Sequence, residues 1–399
     1  MKILVIQSKG IALNNTGQGT AIIQFALIAG LLKEGHEVSY LLLSGKSRFQ
    51  KNLPLMETVL RQESMRGLDC RQFESNNYKE DQATLRQQYN QLKPDVCIVY
   101  HFEGIKLVRE TIPDAFVVGC SIDLEFLPKL MRLQVLLCYE TLPNKLKILA
   151  RSPSMLTEAF KKWRKTLKYY ALADAHINPA AHHAKWIADK FHLPVIYTPN
   201  PVAEAVTSIG PKSVDALASP PRFLLLGGLK GVATLSGLYY FADQVLPHLA
   251  DDIKARKIEV RLIGRDTLEG KLLKQFSEAG ITFCGFVPDL TEEMSKASAM
   301  LVPTEIDLGF RTRILDAFRY RLAVIAHQSN QLGFPELEHM KNCMLSDDAV
   351  KFAGLVRDLA NSPQKAIEIG EQGHEDFLKK FGASESIKTI SNWLKEFKY

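Results

Sequence analysis

Short, continuous apolar runs recur along the chain, separated by longer stretches whose apolar residues fall three and four apart. Ile3–Ile6, Val38–Leu43, the run ending at Tyr100, Phe116–Ser121, Ala175–Asn178 and the run starting at Pro194 are of the first kind. The second half restarts the pattern at Phe223–Leu226, Ile258–Ile263, the run from Ile281, Ala299–Val302 and Leu322–Ala326. Where such a run lacks alternation, as in Ile3–Ile6, Phe223–Leu226 and Leu322–Ala326, it predicts a strand covered on both faces, as in parallel sheets. The stretches between them have helical spacing; Ala21–Lys33, closed by Gly35, is an example. Strand and helix alternate twice over, which predicts two parallel α/β domains.

Length agrees, because 399 residues exceed what a single core usually serves. Residues 206–221, rich in Ser, Gly, Pro and Asp, form the expected linker between a domain at 1–205 and one at 222–375. Residues 376–399 read as a closing helix, with Phe377, Phe381, Ile387, Ile390, Trp393, Leu394 and Phe397 apolar. No apolar run reaches the length of a spanning helix, and Met1–Ile6 reads as a strand rather than a signal peptide. The six cysteines are scattered without a C-x-x-C pair, as expected of free thiols in a reducing cytoplasm.

A net charge of +6 suits a phosphate-bearing ligand or an anionic membrane face, and is too weak to argue for nucleic acid. Much of the positive charge lies in Leu127–Tyr170, where Lys and Arg alternate with Leu, Met, Phe and Trp163. Two readings stand for this stretch: a basic amphipathic helix on an anionic leaflet, or a solvated basic face with its apolar side in the core. Ser152-Pro153 within it is read as a helix entry.

Candidate chemistry gathers at strand ends. The polar loop Gly10–Thr20 after the first strand contains Gly17 and Gly19, which admit close approach to a phosphate or sugar. His101, at the end of the run closing on Tyr100, is the candidate sugar-contacting residue. The richest stretch is Pro303–His327. Gly309 turns the chain, Arg311 and Arg313 stand at a helix start where N–H groups and the dipole favour an anion, and Asp316 follows on the same face. The bland alternative is an Arg313–Asp316 surface pair on an ordinary helix.

Residues 309–317, GFRTRILDA, followed by LAVIA at 322–326, resemble the donor loop of GT-B glycosyltransferases, closest to the retaining family GT4. The segment I-x-F-x-G-F-V-P-D-L at 281–290 resembles that family's carboxyl-terminal domain as well. The resemblance implies two Rossmann-like domains facing a cleft, with the last helix crossing back to the first domain. It implies a nucleotide-sugar donor, a glycan or lipid-linked acceptor, retention, and neither metal nor cofactor. It places Gly17, Gly19, Gly228, Lys230, Arg265, Phe286, Val287, Gly309, Arg311, Arg313 and Asp316 at the donor, with His101 orienting the sugar.

Two positions depart from the family pattern. The first acid of its E-x7-E motif falls on Leu308, so Glu305 and Asp307 are the candidate substitutes. Gly228 stands where an Arg is usual, leaving Lys230, Arg265 and Arg311 to supply positive charge. A non-catalytic glycosyltransferase-like binding subunit is therefore the alternative reading. An oxidoreductase is disfavoured because the first glycine loop is not G-x-G-x-x-G.

Overall fold

The computed structural model describes residues 1–8, 19–46, 52, 56–75, 77–201 and 210–397. Gly17 lies outside the described residues; Gly19 is the first residue of the first helix. The chain divides into two compact units. One comprises Met1–Glu125, Phe160–Ala203 and Gly382–Tyr399; the other comprises Phe126–Ala159 and Glu204–Phe381.

In the first unit the strands are β1 (Lys2–Ser8), β2 (Glu37–Ser44), β3 (Asp69–Glu74), β4 (Val96–Tyr100), β5 (Val117–Cys120), β6 (Ala175–Asn178) and β7 (Val195–Tyr197). They form one parallel sheet in the order β3-β2-β1-β4-β5-β6-β7. The continuous apolar runs become its centre: all five residues of β4 are buried, as are five of the seven in β1. Helices α1 (Gly19–Lys33), α2 (Tyr78–Leu92), α3 (Phe102–Thr111) and α6 (Ala181–Phe191) connect the strands. Between α3 and α6 come α4 (Leu127–Tyr139) and the long α5 (Leu142–Tyr170). The order reverses between β1 and β4, and crevices form beyond strand carboxyl ends at such a point.

The second unit holds a six-stranded parallel sheet, β10-β9-β8-β11-β12-β13. Its strands are β8 (Arg222–Leu226), β9 (Glu259–Ile263), β10 (Thr282–Gly285), β11 (Ala299–Val302), β12 (Ala323–His327) and β13 (Met344–Ser346). The helices are α7 (Val232–Tyr240), α8 (Leu246–Lys254), α9 (Gly270–Ala279), α10 (Thr291–Lys296), α11 (Thr312–Arg319), α12 (Asn330–Gly333), α13 (Ala349–Asn361) and α14 (Pro363–Asp376). A π turn at Phe241–Val245 joins α7 to α8, next to Pro247, whose nitrogen has no hydrogen to donate to the helical ladder. The reversal here lies between β8 and β11.

The closing helix α15 (Ala383–Lys395) belongs to the first unit, as the crossing-back expectation requires. Its Ile387, Ile390 and Leu394 are buried in the same cluster as Leu27, Ile28 and Leu31 of α1. Gly30 lets the two helices close up, since a Cβ there would come within 2.4 Å of Ile387.

Two local expectations change. Helix α4 packs its Leu127, Met131, Leu136 and Tyr139 on the core of the second unit around Val135. Pro153 opens no helix; it sits inside α5. The N–H that proline withholds from the Leu149 carbonyl is replaced by the Ser152 hydroxyl, which donates to that oxygen at 2.8 Å.

Candidate functional site

In the second unit the loops beyond β8, β9 and β10 and the start of α11 are wired together at the carboxyl ends of the strands. Gly227 donates its N–H to Ile263 at 3.1 Å, and Gly264 donates to Gly285 at 2.9 Å. Contact is close enough that a Cβ on Gly264 would come within 2.4 Å of the Gly227 carbonyl. Gly227 itself has φ +152° and meets Thr234 Oγ1 and the Arg313 guanidinium where a side chain would go, so glycine is required there twice over.

Arg313 is the brace of this arrangement. Its Nη1 donates to the Leu226 carbonyl at 2.6 Å and its Nη2 to Thr234 Oγ1 at 2.7 Å. Burial, with Arg311 beside it, pulls its pKa down to about 9, so it remains a cation at neutral pH. The two groups expected together at the anion therefore divide: Arg313 turns inward under the glycine loop, and Arg311 stands half-buried at the cap of α11. Asp316 is not the partner of Arg313 in an ion pair. Its carboxylate lies 3.6 Å from Arg319 Nη2, a third exposed, with burial raising its pKa.

The remaining donor candidates line the same edge. Gly228 has open space where a Cβ would stand. Lys230 donates its backbone N–H to Asp266 at 3.4 Å, and its carbonyl accepts from Arg132 of α4 at 3.3 Å. The guanidinium of Arg265 lies over the exposed ring of Phe286, 4.5 Å from its centroid, and Val287 follows half-buried. Gly309 has φ +62°, a turn that suits glycine.

The candidate acids differ in their surroundings within this unit. Leu308 is buried in the hydrophobic core, so the side chain at the first-acid position faces away from water. Asp307 is exposed. Glu305 is half-buried on the loop after β11, and Tyr139 Oη donates to its Oε1 at 2.7 Å. Desolvation raises the Glu305 pKa and the tyrosine hydrogen bond partly lowers it. Tyr139 is itself fixed: its ring stacks on Tyr239 at 5.6 Å, and its carbonyl accepts from Lys271 at 2.9 Å. Glu140 accepts from the Tyr239 hydroxyl, and Lys271 pairs with Asp243 at 2.5 Å. Nearby, His327 Nδ1 bonds Ser329 Oγ at 2.9 Å, and burial lowers the histidine pKa. Sequence reasoning missed Tyr139 and Thr234, because each acts through a neighbour far away in the chain, and it missed His327, which stands at the end of an apolar strand.

His101, in the first unit, caps α3 with φ +66° and ψ +151°, a region that costs a non-glycine residue about 1–3 kcal/mol. Glu125, also missed from sequence, lies 3.4 Å from His101 Nδ1 and accepts the Phe102 N–H at 3.3 Å. This strain is held at a strand's carboxyl end, beside a carboxylate.

Comparison with known proteins gives a family match over part of the chain, and a fold. Residues 220–362 match the model of a family described as glycosyl transferases group 1. No curated protein matches the sequence. Among solved structures, sucrose-phosphate synthase from Thermosynechococcus elongatus superposes with a TM-score of 0.65 at 12% identity, over 99% of this chain and 98% of its own. HepE from Anabaena, solved with UDP-glucose, gives a TM-score of 0.67 at 14% identity over 100% of both chains. TarM from S. aureus, solved with fondaparinux, α-GlcNAc-glycerol and UDP, gives 0.64 at 9% identity over 100% of both. The fold is GT-B.

Proposed function

We propose that this chain, whose residues 220–362 match the glycosyl transferases group 1 model, moves a sugar from a nucleoside-diphosphate sugar to a glycan or lipid-linked acceptor, with retention and without a metal cofactor. One observation carries the reading: at the switch point of the second sheet, inside the family segment, Arg313 locks a glycine loop with open space at Gly228. Such a loop presents backbone N–H groups to a diphosphate, and Arg311 at the start of α11 adds charge. Departure of the nucleoside diphosphate builds negative charge, and donors already fixed in place stabilise it with little reorganisation.

In this reading the base of the donor rests by Phe286 and Val287, and Asp316 accepts from the ribose hydroxyls. Glu305 takes the part of the acid missing at Leu308, Asp307 remains at the rim, and His101 orients the sugar. GT4 membership, work in the cytoplasm and peripheral contact with an anionic membrane belong to the same proposal. HepE and TarM, both solved with UDP or a UDP-sugar, support a uridine donor.

The buried Leu308 favours a second reading, a binding subunit without transfer activity. A thermal-shift panel of nucleotide sugars, followed by product analysis, decides between them. A donor at a hundred times its Kd should stabilise the protein by about 2.7 kcal/mol. Transfer with an unchanged anomeric configuration supports the proposal. Stabilisation without turnover, or no stabilisation by any donor, supports the subunit.

A further inference from the structure

Helix α5 is continuous from Leu142 to Tyr170 and carries an apolar stripe that the fold leaves in water. Leu142, Leu146, Leu149, Leu156, Phe160 and Trp163 recur at three, four and seven residues, which puts them along one side of the helix. Their exposures run from 71% at Leu142 to 37% at Trp163. A different side is covered by the protein, with Ala159, Thr166 and Tyr170 buried. The helix therefore has two apolar faces, and packing accounts for one of them.

The charge on this helix is equally uneven. Its 29 residues hold eight lysines and arginines against one glutamate, and that glutamate is paired with Lys129 at 2.8 Å. Seven net positive charges sit here, where the whole chain has +6, so the rest of the protein is about one charge short of neutral. Lys161, Arg164 and Lys168 fall beside the stripe by helical spacing, while Lys165 lies further round the helix and pairs with Glu103 at 3.5 Å.

We propose that this stripe is a membrane-docking surface: α5 lies in the plane of an anionic bilayer with its leucines and aromatics at the headgroup boundary and its lysines on the phosphates. An apolar stripe with Phe and Trp beside a basic face is the pattern of an interfacial helix. Among the described residues no helix is long and apolar enough to cross a membrane, so α5 lies on the surface and does not span it. A second copy of the chain is the poorer occupant, because it would bring another seven positive charges against the first. Helix α4, the other part of the basic stretch, is excluded, since its apolar side is packed on the second unit's core. The inference deepens the membrane contact proposed above by naming its face and lipid class, and its test uses no nucleotide, so either can fail without the other.

The test is co-sedimentation of the full chain with vesicles of phosphatidylcholine alone or with a third phosphatidylglycerol. Two variants accompany the wild type: one with Leu146, Leu149 and Phe160 changed to Ser, and one with Lys161, Arg164 and Lys168 changed to Gln. All six side chains are solvent-facing or half-buried, and melting curves check that both variants fold. Wild type should bind the anionic vesicles and be released by 0.5 M salt. The charge variant should lose about fivefold per charge removed. The apolar variant should lose at least tenfold, with neutral vesicles bound weakly throughout. Equal binding to both vesicle types, or wild-type binding by both folded variants, overturns the proposal. So does a dimer in solution that the apolar variant dissolves while vesicles bind nothing.

Discussion

At the scale of single residues the sharpest contrast is between Arg311 and Arg313, two positions apart in sequence and opposite in use. Helical spacing shows that both stand at the start of α11. It cannot show that the Leu226 carbonyl and Thr234 hydroxyl wait for one of them, because those partners come from the other side of the sheet. Glu305 is a similar case. Counting along the family motif reaches Leu308 and then offers two acids; burial, and the hydroxyl of Tyr139 from more than 160 residues away, distinguish them. The Tyr139 bond lowers a pKa that desolvation has raised, so Tyr139→Phe should raise it further. If transfer needs the Glu305 carboxylate, the acid limb of kcat/KM should move to higher pH in Tyr139→Phe, and Glu305→Gln should abolish that limb. A pH–rate profile with the same acid limb in wild type and both variants would remove Glu305 from the reaction.

At the scale of elements the sequence was most legible where burial is complete. The β4 run and the β12 run were readable because a strand covered on both faces is apolar throughout. Helix α5 was less legible: serine and proline normally announce a helix start, and here a hydroxyl repairs the gap in the ladder. Its exposed stripe could not be distinguished from a core-facing one, since the pattern of residues is the same in both cases. Between β5 and β6 the sheet holds a buried histidine whose cost is visible only in the structure. His176 is fully buried, its Nε2 bonds the Tyr170 carbonyl at 3.0 Å, and a Cβ on Gly119 would lie 2.4 Å from its other ring nitrogen. Burial lowers its pKa to about 4 from an ordinary 6.5. Below pH 6.5 the unfolded chain takes up a proton that the native protein refuses. This contribution to stability is therefore complete above pH 6.5 and is lost as the pH falls towards 4, by up to about 3 kcal/mol. Urea unfolding at pH 7, 6, 5 and 4.5 should show that decline, and His176→Gln should have a flatter profile whatever its stability at pH 7. Parallel profiles would mean that His176 is protonated in the native state.

At the scale of the whole molecule, two parallel sheets and the return of α15 to the first unit followed from the repeated rhythm of the chain and its resemblance to GT-B enzymes. The placement of α4 on the second unit's core did not, because nothing in Leu127–Tyr139 says which sheet its apolar side will meet. Yet α4 brings Tyr139 to Glu305 and Arg132 to the glycine loop, so part of the candidate site rests on a helix that precedes the linker in sequence. The central claim is that this loop and the start of α11 hold a nucleoside diphosphate. Calorimetric titration of UDP and GDP into the wild type, Arg311→Gln and Arg313→Met tests it most directly. The account predicts binding of at least one nucleotide by the wild type. Arg311→Gln should bind it about tenfold or more weakly at a nearly unchanged melting temperature. Arg313→Met should lose both affinity and stability, because it leaves two partly buried acceptors without their donor. Wild-type affinity in both variants, or no binding of either nucleotide by the wild type, would contradict it.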